Sequence, residues 1–215
     1  MAEPEKMPQG GTRPAAARPE AGIVAALDRR SVVLVGMMGA GKSSIGRRLA
    51  LRLGIPFVDA DEEIEVAHAG MKIQEIFAEH GEPYFRAGEA RVIARLLESG
   101  PQVLATGGGA FMNPDTRAVV AAKAVSIWLK AEFDVLMKRI RRRHDRPLLK
   151  TADPGATLRS LMEERYPVYA LADLTVQSRD VQHDKIVDEL VSALAGRLGT
   201  ACAALSASAE GGRAS

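Results

Sequence analysis

Residues 36–43, GMMGAGKS, form a complete G-x-x-x-x-G-K-S between an apolar run and a helical pattern. The glycines permit backbone angles that turn successive N–H groups inward, which makes a cradle for an anion. A helix starting at Lys42 would aim its positive dipole end at the same point. Lys42 has the length to reach outer phosphates, and the Ser43 hydroxyl is placed to ligate Mg²⁺. A chance glycine-rich turn would not share both this spacing and this strand-to-helix setting. The expected ligand is a nucleoside triphosphate, ATP, with Gly36, Gly39, Ala40, Gly41, Lys42, Ser43 and Ser44 around its phosphates. A GTPase would add an Asn-Lys-x-Asp base-reading motif, which the chain lacks. A motor or transporter ATPase would end a hydrophobic strand in Asp; after QVLAT (102–106) this chain has glycines instead. A compact phosphate-loop protein of this size, with a mobile basic segment late in the chain, points instead to small-molecule phosphoryl transfer.

Carboxylates come next, in FVDADEEI (57–64). In an extended segment residues two apart face the same side, so Asp59 and Asp61 would both look into the cleft. One would sit near the metal. The other, Asp61, would orient an attacking hydroxyl and take its proton. The plainer alternative for one of them is a helix cap over Glu62–His68. Arginines recur at Arg86, one turn into a helix beginning near Pro83, and at Arg165, just before a proline expected to interrupt its helix. Brought together, two arginines would grip a substrate carboxylate through paired N–H donors. Residues 138–146 carry six basic groups in nine, followed by a Pro- and Gly-containing stretch. A solvated face and a nucleic-acid patch are the bland readings. A mobile lid closing over ATP is the functional one, with Arg146 facing the charge that develops on the moving phosphoryl group. Finally, Gly107, Gly108 and Gly109 stand at a strand's carboxyl end, where bare backbone would let a small polar ligand lie against N–H groups. The alternative there is a strained turn needing unusual dihedrals.

These groups need a frame. Apolar runs at 31–35, 56–59, 102–106, 124–129 and 173–177 are strand-like, and amphipathic helical patterns lie between them. Strand–helix alternation predicts an α/β fold with parallel pairing and helices on both faces. Ligands in such sheets gather at the carboxyl ends of the strands, where every motif above falls.

Composition sets the outer bounds. The chain has 215 residues, 47% hydrophobic and 26% charged, ordinary for one globular domain. A net charge of +2 is too small to demand nucleic acid or membrane as a partner. One cysteine, Cys202, fits a reducing compartment, and no apolar run approaches a membrane span. A cytoplasmic monomer is expected. Residues 1–30 and 198–215, rich in small, polar and Pro residues, are expected to be loose tails around a 31–197 core.

Taken together, GMMGAGKSS, FVDADEEIE, IQEIFAEHGEPYFRAGE, LATGGG, RPLL and ERYPVY resemble shikimate kinases in order and spacing, over about residues 31–197. The resemblance implies transfer of the ATP γ-phosphate to the 3-hydroxyl of shikimate, in aromatic amino-acid biosynthesis. It implies a three-layer α/β/α phosphate-loop kinase with a five-stranded parallel sheet of order 2-3-1-4-5. By position, Asp61 would bind the acceptor hydroxyls, Arg86 and Arg165 the carboxylate, and Gly108 the ring substituents. Lys42 and Arg146 would stabilise the transferring group, Ser43 would ligate Mg²⁺ with Asp59 nearby, and Glu89 would orient Arg86. Gln182 falls where the family has a residue close to adenine. Met37 and Met38 read as loop packing.

Three rivals stand beside this. Another small-molecule kinase, such as a gluconate kinase, leaves the triple glycine, Arg86 and Arg165 without a clear use. A non-catalytic ATP-binding module would not need Lys42, Ser43, Asp59, Asp61 and Arg146 together. Nucleic-acid binding through 138–146 predicts affinity that falls steeply with salt.

Overall fold

The computed structural model describes residues 19–141 and 153–200. Its centre is a five-stranded parallel sheet in the order β2-β3-β1-β4-β5, as the family resemblance implies. The strands are β1 (Ser31–Val35), β2 (Phe57–Asp59), β3 (Val103–Ala105), β4 (Ala124–Lys130) and β5 (Leu174–Gln177). Every residue of β1 is buried, which is why SVVLV is continuously apolar after its first residue: both faces of a central parallel strand are covered. Register places Leu34 opposite Ala105 and Val35 opposite Trp128, so β1 and β3 end within one residue of each other and β4 runs two residues further, to Lys130.

Helix α2 (Lys42–Leu53) connects β1 to β2 and α5 (Pro114–Lys123) connects β3 to β4. The two connections run in opposite directions across the sheet. Right-handed crossovers therefore put α2 and α5 on opposite faces, which creates the three layers. Helix α8 (His183–Arg197) packs beside α2. No helix among the described residues is long and apolar enough to cross a membrane.

A helix lies within a stretch that composition predicts to be loose. Helix α1 (Pro19–Leu27) lies across α2 and α8, with Ile23 and Leu27 fully buried. Its two large apolar side chains stand four apart on one face, so the helix buries a small, concentrated patch that averaging over 1–30 conceals. Arg52 of α2 donates to Glu20 at 2.5 Å and to Asp188 at 3.1 Å, tying the three helices at their rim. The described fold thus takes in residues 19–30 and 198–200, which composition assigns to the tails. Residues 1–18 and 201–215 lie outside the described residues, as does 142–152, where the lid and Arg146 were expected.

Of two helices with an internal proline, one follows expectation and one does not. Helix α4 (Ile73–Leu96) contains a break at Gly81 (φ 81°, ψ 170°), so Pro83 opens a second segment as its fixed φ favours. Helix α7 (Pro154–Tyr169) is not interrupted by Pro167. That proline sits in the last turn, where its missing N–H costs one bond to residue 163 and little helix remains to be broken.

Candidate active site

The phosphate loop joins β1 to α2. Gly36, Gly39 and Gly41 have φ of 138°, 82° and 93°, a region that side chains rarely adopt. A Cβ on Gly36 would also lie 2.8 Å from the Leu129 carbonyl oxygen. Lys42 folds back over the loop, donating to the carbonyls of Gly36 at 2.7 Å and Met37 at 2.9 Å. Its ammonium is thereby held at the centre of the cradle.

Asp59 ends β2 and caps helix α3 (Ala60–Ala67): its Oδ1 accepts from the Asp61 N–H at 3.2 Å. Its Oδ2 accepts from the Ser43 hydroxyl at 2.6 Å. The helix cap and the partner of Ser43 are therefore one residue. Asp61 does not share an extended strand with Asp59, as alternation predicts. It lies in the first turn of α3, and the helix start carries its side chain into the cleft.

Two cavities meet there. The first, about 410 Å³, is lined by the loop and by Asp59, Asp61, Arg139, Asp180, Val181 and His183. The second, about 190 Å³, is lined by Met38, Asp61, Ile73, Gln74, Phe77, Phe85, Arg86, Gly107, Gly108, Gly109 and Arg165. Met38, Asp61, Gly107 and Gly108 face both.

The second cavity combines apolar walls with opposed charges. Arg86 donates to Glu89 at 2.7 Å and to Glu82 at 3.1 and 3.2 Å, with its guanidinium 5.2 Å from the Phe85 ring centre. Burial pulls the Arg86 pKa down, but Glu89 and Glu82 more than offset it, and the net shift is upward. Glu89 is itself buried, and loss of hydration raises its pKa despite the opposing pull of Arg86. Both effects follow from one arrangement: the carboxylate is almost dry while the guanidinium keeps some water. Arg165, also buried, holds its Nη1 within 3.5 Å of the Cβ position of Gly108. Arg165 Nε and Glu89 Oε1 are buried with no hydrogen-bond partner among the described residues. Unpaired groups of this kind are costly and mark a place for a ligand or water.

The glycines are explained by crowding rather than strain, since none of the three has positive φ. A Cβ at Gly107 would stand 2.6 Å from Glu89 Oε1 and 3.0 Å from Asp61 Oδ1, and one at Gly109 would overlap the Arg86 guanidinium. At two of three positions the missing side chain makes room for the protein's own charged groups. At Gly108 a Cβ would meet only ordinary contacts, the nearest Arg165 Nη1 at 3.5 Å, so crowding by the protein does not account for that glycine.

Lys42, Ser43, Asp59, Asp61, Arg86, Arg165 and the three glycines therefore converge as the sequence predicts. Gln182 does not join them: it is exposed, immediately before α8, and its neighbours Val181 and His183 line the cavity instead. Sequence reasoning missed Arg139, in α6 (Phe133–Arg141), as a separate participant. Its guanidinium donates to the carbonyls of Gly39 at 3.2 Å and Arg179 at 2.6 Å and to Ser178 Oγ at 2.8 Å, bracing the phosphate loop. Burial lowers its pKa, with Asp180 acting the other way. Lys138 pairs with Asp180, so part of the basic run is satisfied within the fold. The apolar walls Phe77 and Phe85 were also missed, as was Met38's place between the cavities; periodicity marks such residues only as core.

Comparison with known proteins agrees with this geometry. The family model for shikimate kinase matches residues 38–195. The chain is 67% identical over 185 residues to the shikimate kinase of Bradyrhizobium diazoefficiens, covering 86% of this chain and 89% of that one. It is 66% identical over 175 residues to that of Rhodopseudomonas palustris, covering 81% and 86%. Among solved structures, shikimate kinase from Acinetobacter baumannii in complex with shikimate superposes with a TM-score of 0.76 at 32% identity, over 84% of this chain and 99% of that one. A gluconokinase from Sinorhizobium meliloti gives a TM-score of 0.53 at 19% identity over 80% and 95%, a likeness of fold alone.

Proposed function

The chain belongs to the shikimate kinase family, and from that premise we propose how its own residues move the γ-phosphoryl group of ATP to the 3-hydroxyl of shikimate. ATP occupies the larger cavity, its phosphates on the loop N–H groups and the N-terminus of α2. Lys42 exchanges its loop carbonyls for phosphate oxygens. Ser43 and Asp59 are hard oxygen donors 2.6 Å apart beside that cradle, a set that suits Mg²⁺. When bound, the ion would neutralise charge on the phosphates.

Shikimate occupies the smaller cavity. Arg86 and Arg165 hold its carboxylate, while Phe77 and Phe85 cover the ring. Asp61, which faces both cavities, orients the 3-hydroxyl and takes its proton as the new O–P bond forms and the bond to the β-phosphate oxygen breaks. ADP leaves with the electron pair of that bond. Arg146 is assigned the charge spread over the transferring group, and the segment around it the exclusion of water. The enzyme acts as a cytoplasmic monomer in this reading, with ATP and shikimate as its partners.

The observation that carries the reading is the single carboxylate, Asp61, at the junction of a phosphate cradle and a two-arginine pocket. ADP release measured with and without shikimate tests it. Turnover should require both shikimate and Mg²⁺, and Asp61→Asn should lower kcat by roughly 10²–10⁴. Wild-type turnover in that variant would remove Asp61 from the chemistry.

A further inference from the structure

We propose that Tyr169 is a positioning residue for the acceptor pocket, its phenol fixing the middle peptide of the triple glycine from beneath. The proposal rests on the reading of that pocket given above. Tyr169 ends α7 and is fully buried, one helical turn beyond Arg165. Its hydroxyl donates to the carbonyl of Gly108 and lies 3.8 Å from Met37 Sδ of the phosphate loop.

The neighbouring carbonyls have other holders. The Gly107 carbonyl accepts from the Ala110 N–H at 3.3 Å, and that of Gly109 from the Met112 N–H at 3.0 Å, both in the turn that follows. Gly108 has Tyr169. In a trans peptide the N–H points opposite the C=O, so anchoring this carbonyl at the back sets the direction of the Gly109 N–H. Among the described residues, the N–H groups of Gly107, Gly108 and Gly109 donate to no protein acceptor. They are donors without an internal use in a wall of the cavity.

Three glycines in a row are also the least restrained backbone a chain can offer. Without the phenol, the middle peptide is free to rotate and misdirect those donors. Because Arg165 and Tyr169 sit four apart on one helix, α7 delivers a ligand-gripping arginine and the anchor for the floor opposite it as one rigid piece. Burial pushes the phenol pKa up to about 12, against the pull of Arg165, so it remains a donor throughout the enzyme's working range.

Tyr166 supplies an internal control. It lies on the same helix and in the same aromatic cluster with Trp128, its pKa is also raised to about 12, and its hydroxyl donates to the carbonyl of Ala131, outside the pocket wall. Tyr169→Phe and Tyr166→Phe each remove one oxygen and keep the ring. In the full chain, Tyr169→Phe should raise the shikimate KM about 3- to 10-fold, the worth of one hydrogen bond, with the ATP KM changed less than about twofold. Tyr166→Phe should leave both constants near wild type, while the two variants lose comparable thermal stability. In the ligand-free protein, the Gly109 amide resonance should shift and broaden in Tyr169→Phe and not in Tyr166→Phe. A wild-type shikimate KM in Tyr169→Phe, an equal rise in both variants, or an unmoved Gly109 amide would each overturn the proposal. Absence of shikimate-dependent ADP release in the unsubstituted chain would instead overturn the reading of the pocket, and the amide measurement would still decide the role of Tyr169.

Discussion

Gly109→Ala is the sharpest probe of why this backbone is bare. Gly109 has φ −96° and ψ −13°, a conformation alanine adopts without strain, so the substitution adds one methyl group and nothing else. That methyl carbon would lie 2.5 Å from Arg86 Cζ, where carbon contacts prefer about 3.5–4 Å. Arg86 must therefore retreat by about 1 Å or more. It cannot do so cheaply, being held by Glu89 at 2.7 Å and Glu82 at 3.1 Å. A guanidinium displaced that far loses at least one charge-assisted bond to a substrate carboxylate, roughly 1.5–3 kcal/mol. The shikimate KM should then rise about 10- to 150-fold, with the ATP KM unaffected. Shikimate titrations at saturating ATP, followed by ADP release, give the answer directly. Gly108→Ala provides the contrast, since its Cβ would meet Arg165 at an ordinary 3.5 Å and any loss there reports on ligand space. If Gly109→Ala kept a wild-type shikimate KM, the glycine would not be making room for Arg86 and the crowding argument would fail.

Two further outcomes follow from burial. Leu27→Ala empties a fully buried site in α1 and should cost about 2–5 kcal/mol, lowering the thermal midpoint by roughly 5–15 °C while leaving the shikimate KM unchanged. A midpoint shifted by less than about 2 °C would mean that α1 is not integral to the fold. Tyr166 and Tyr169 have phenols raised from 10.0 to about 12, so the folded state keeps protons that the unfolded chain has already lost. Stability should accordingly be intact below pH 10 and fall as the pH rises from 10 towards 12. Denaturant midpoints across that range should decline less steeply in Tyr169→Phe, and an unchanged slope would reject the assignment.

The phosphate loop was legible because its chemistry is written in adjacent residues: strand, glycines, Lys42 and Ser43 need no distant partner. The strands were legible because a buried parallel sheet requires continuous apolar runs such as SVVLV. Asp61 does face the cleft, but the start of α3 places it there and not strand alternation, the route the sequence suggested. What stayed hidden depends on contacts between remote segments. Arg139 donates largely to backbone carbonyls, which no side-chain pattern announces. Tyr169 meets Gly108 across 61 positions of sequence. The burial of Ile23 and Leu27 exists only because α2 and α8 form a surface for them. Pro167 shows the opposite error, a strong local rule made harmless by its place in the last turn.

The arrangement of β1 beside β3 has a geometric corollary. The phosphate loop leaves one of these strands and the three glycines leave the other, with Leu34 level with Ala105. In the reading proposed above, the separation of the two loops' roots is gauged by a single interstrand step of about 4.8 Å, among the least adjustable lengths in a protein. A bulkier acceptor would have to be accommodated sideways, by retreat of α3 or α4, because the ruler between the two loops cannot be lengthened without parting the sheet.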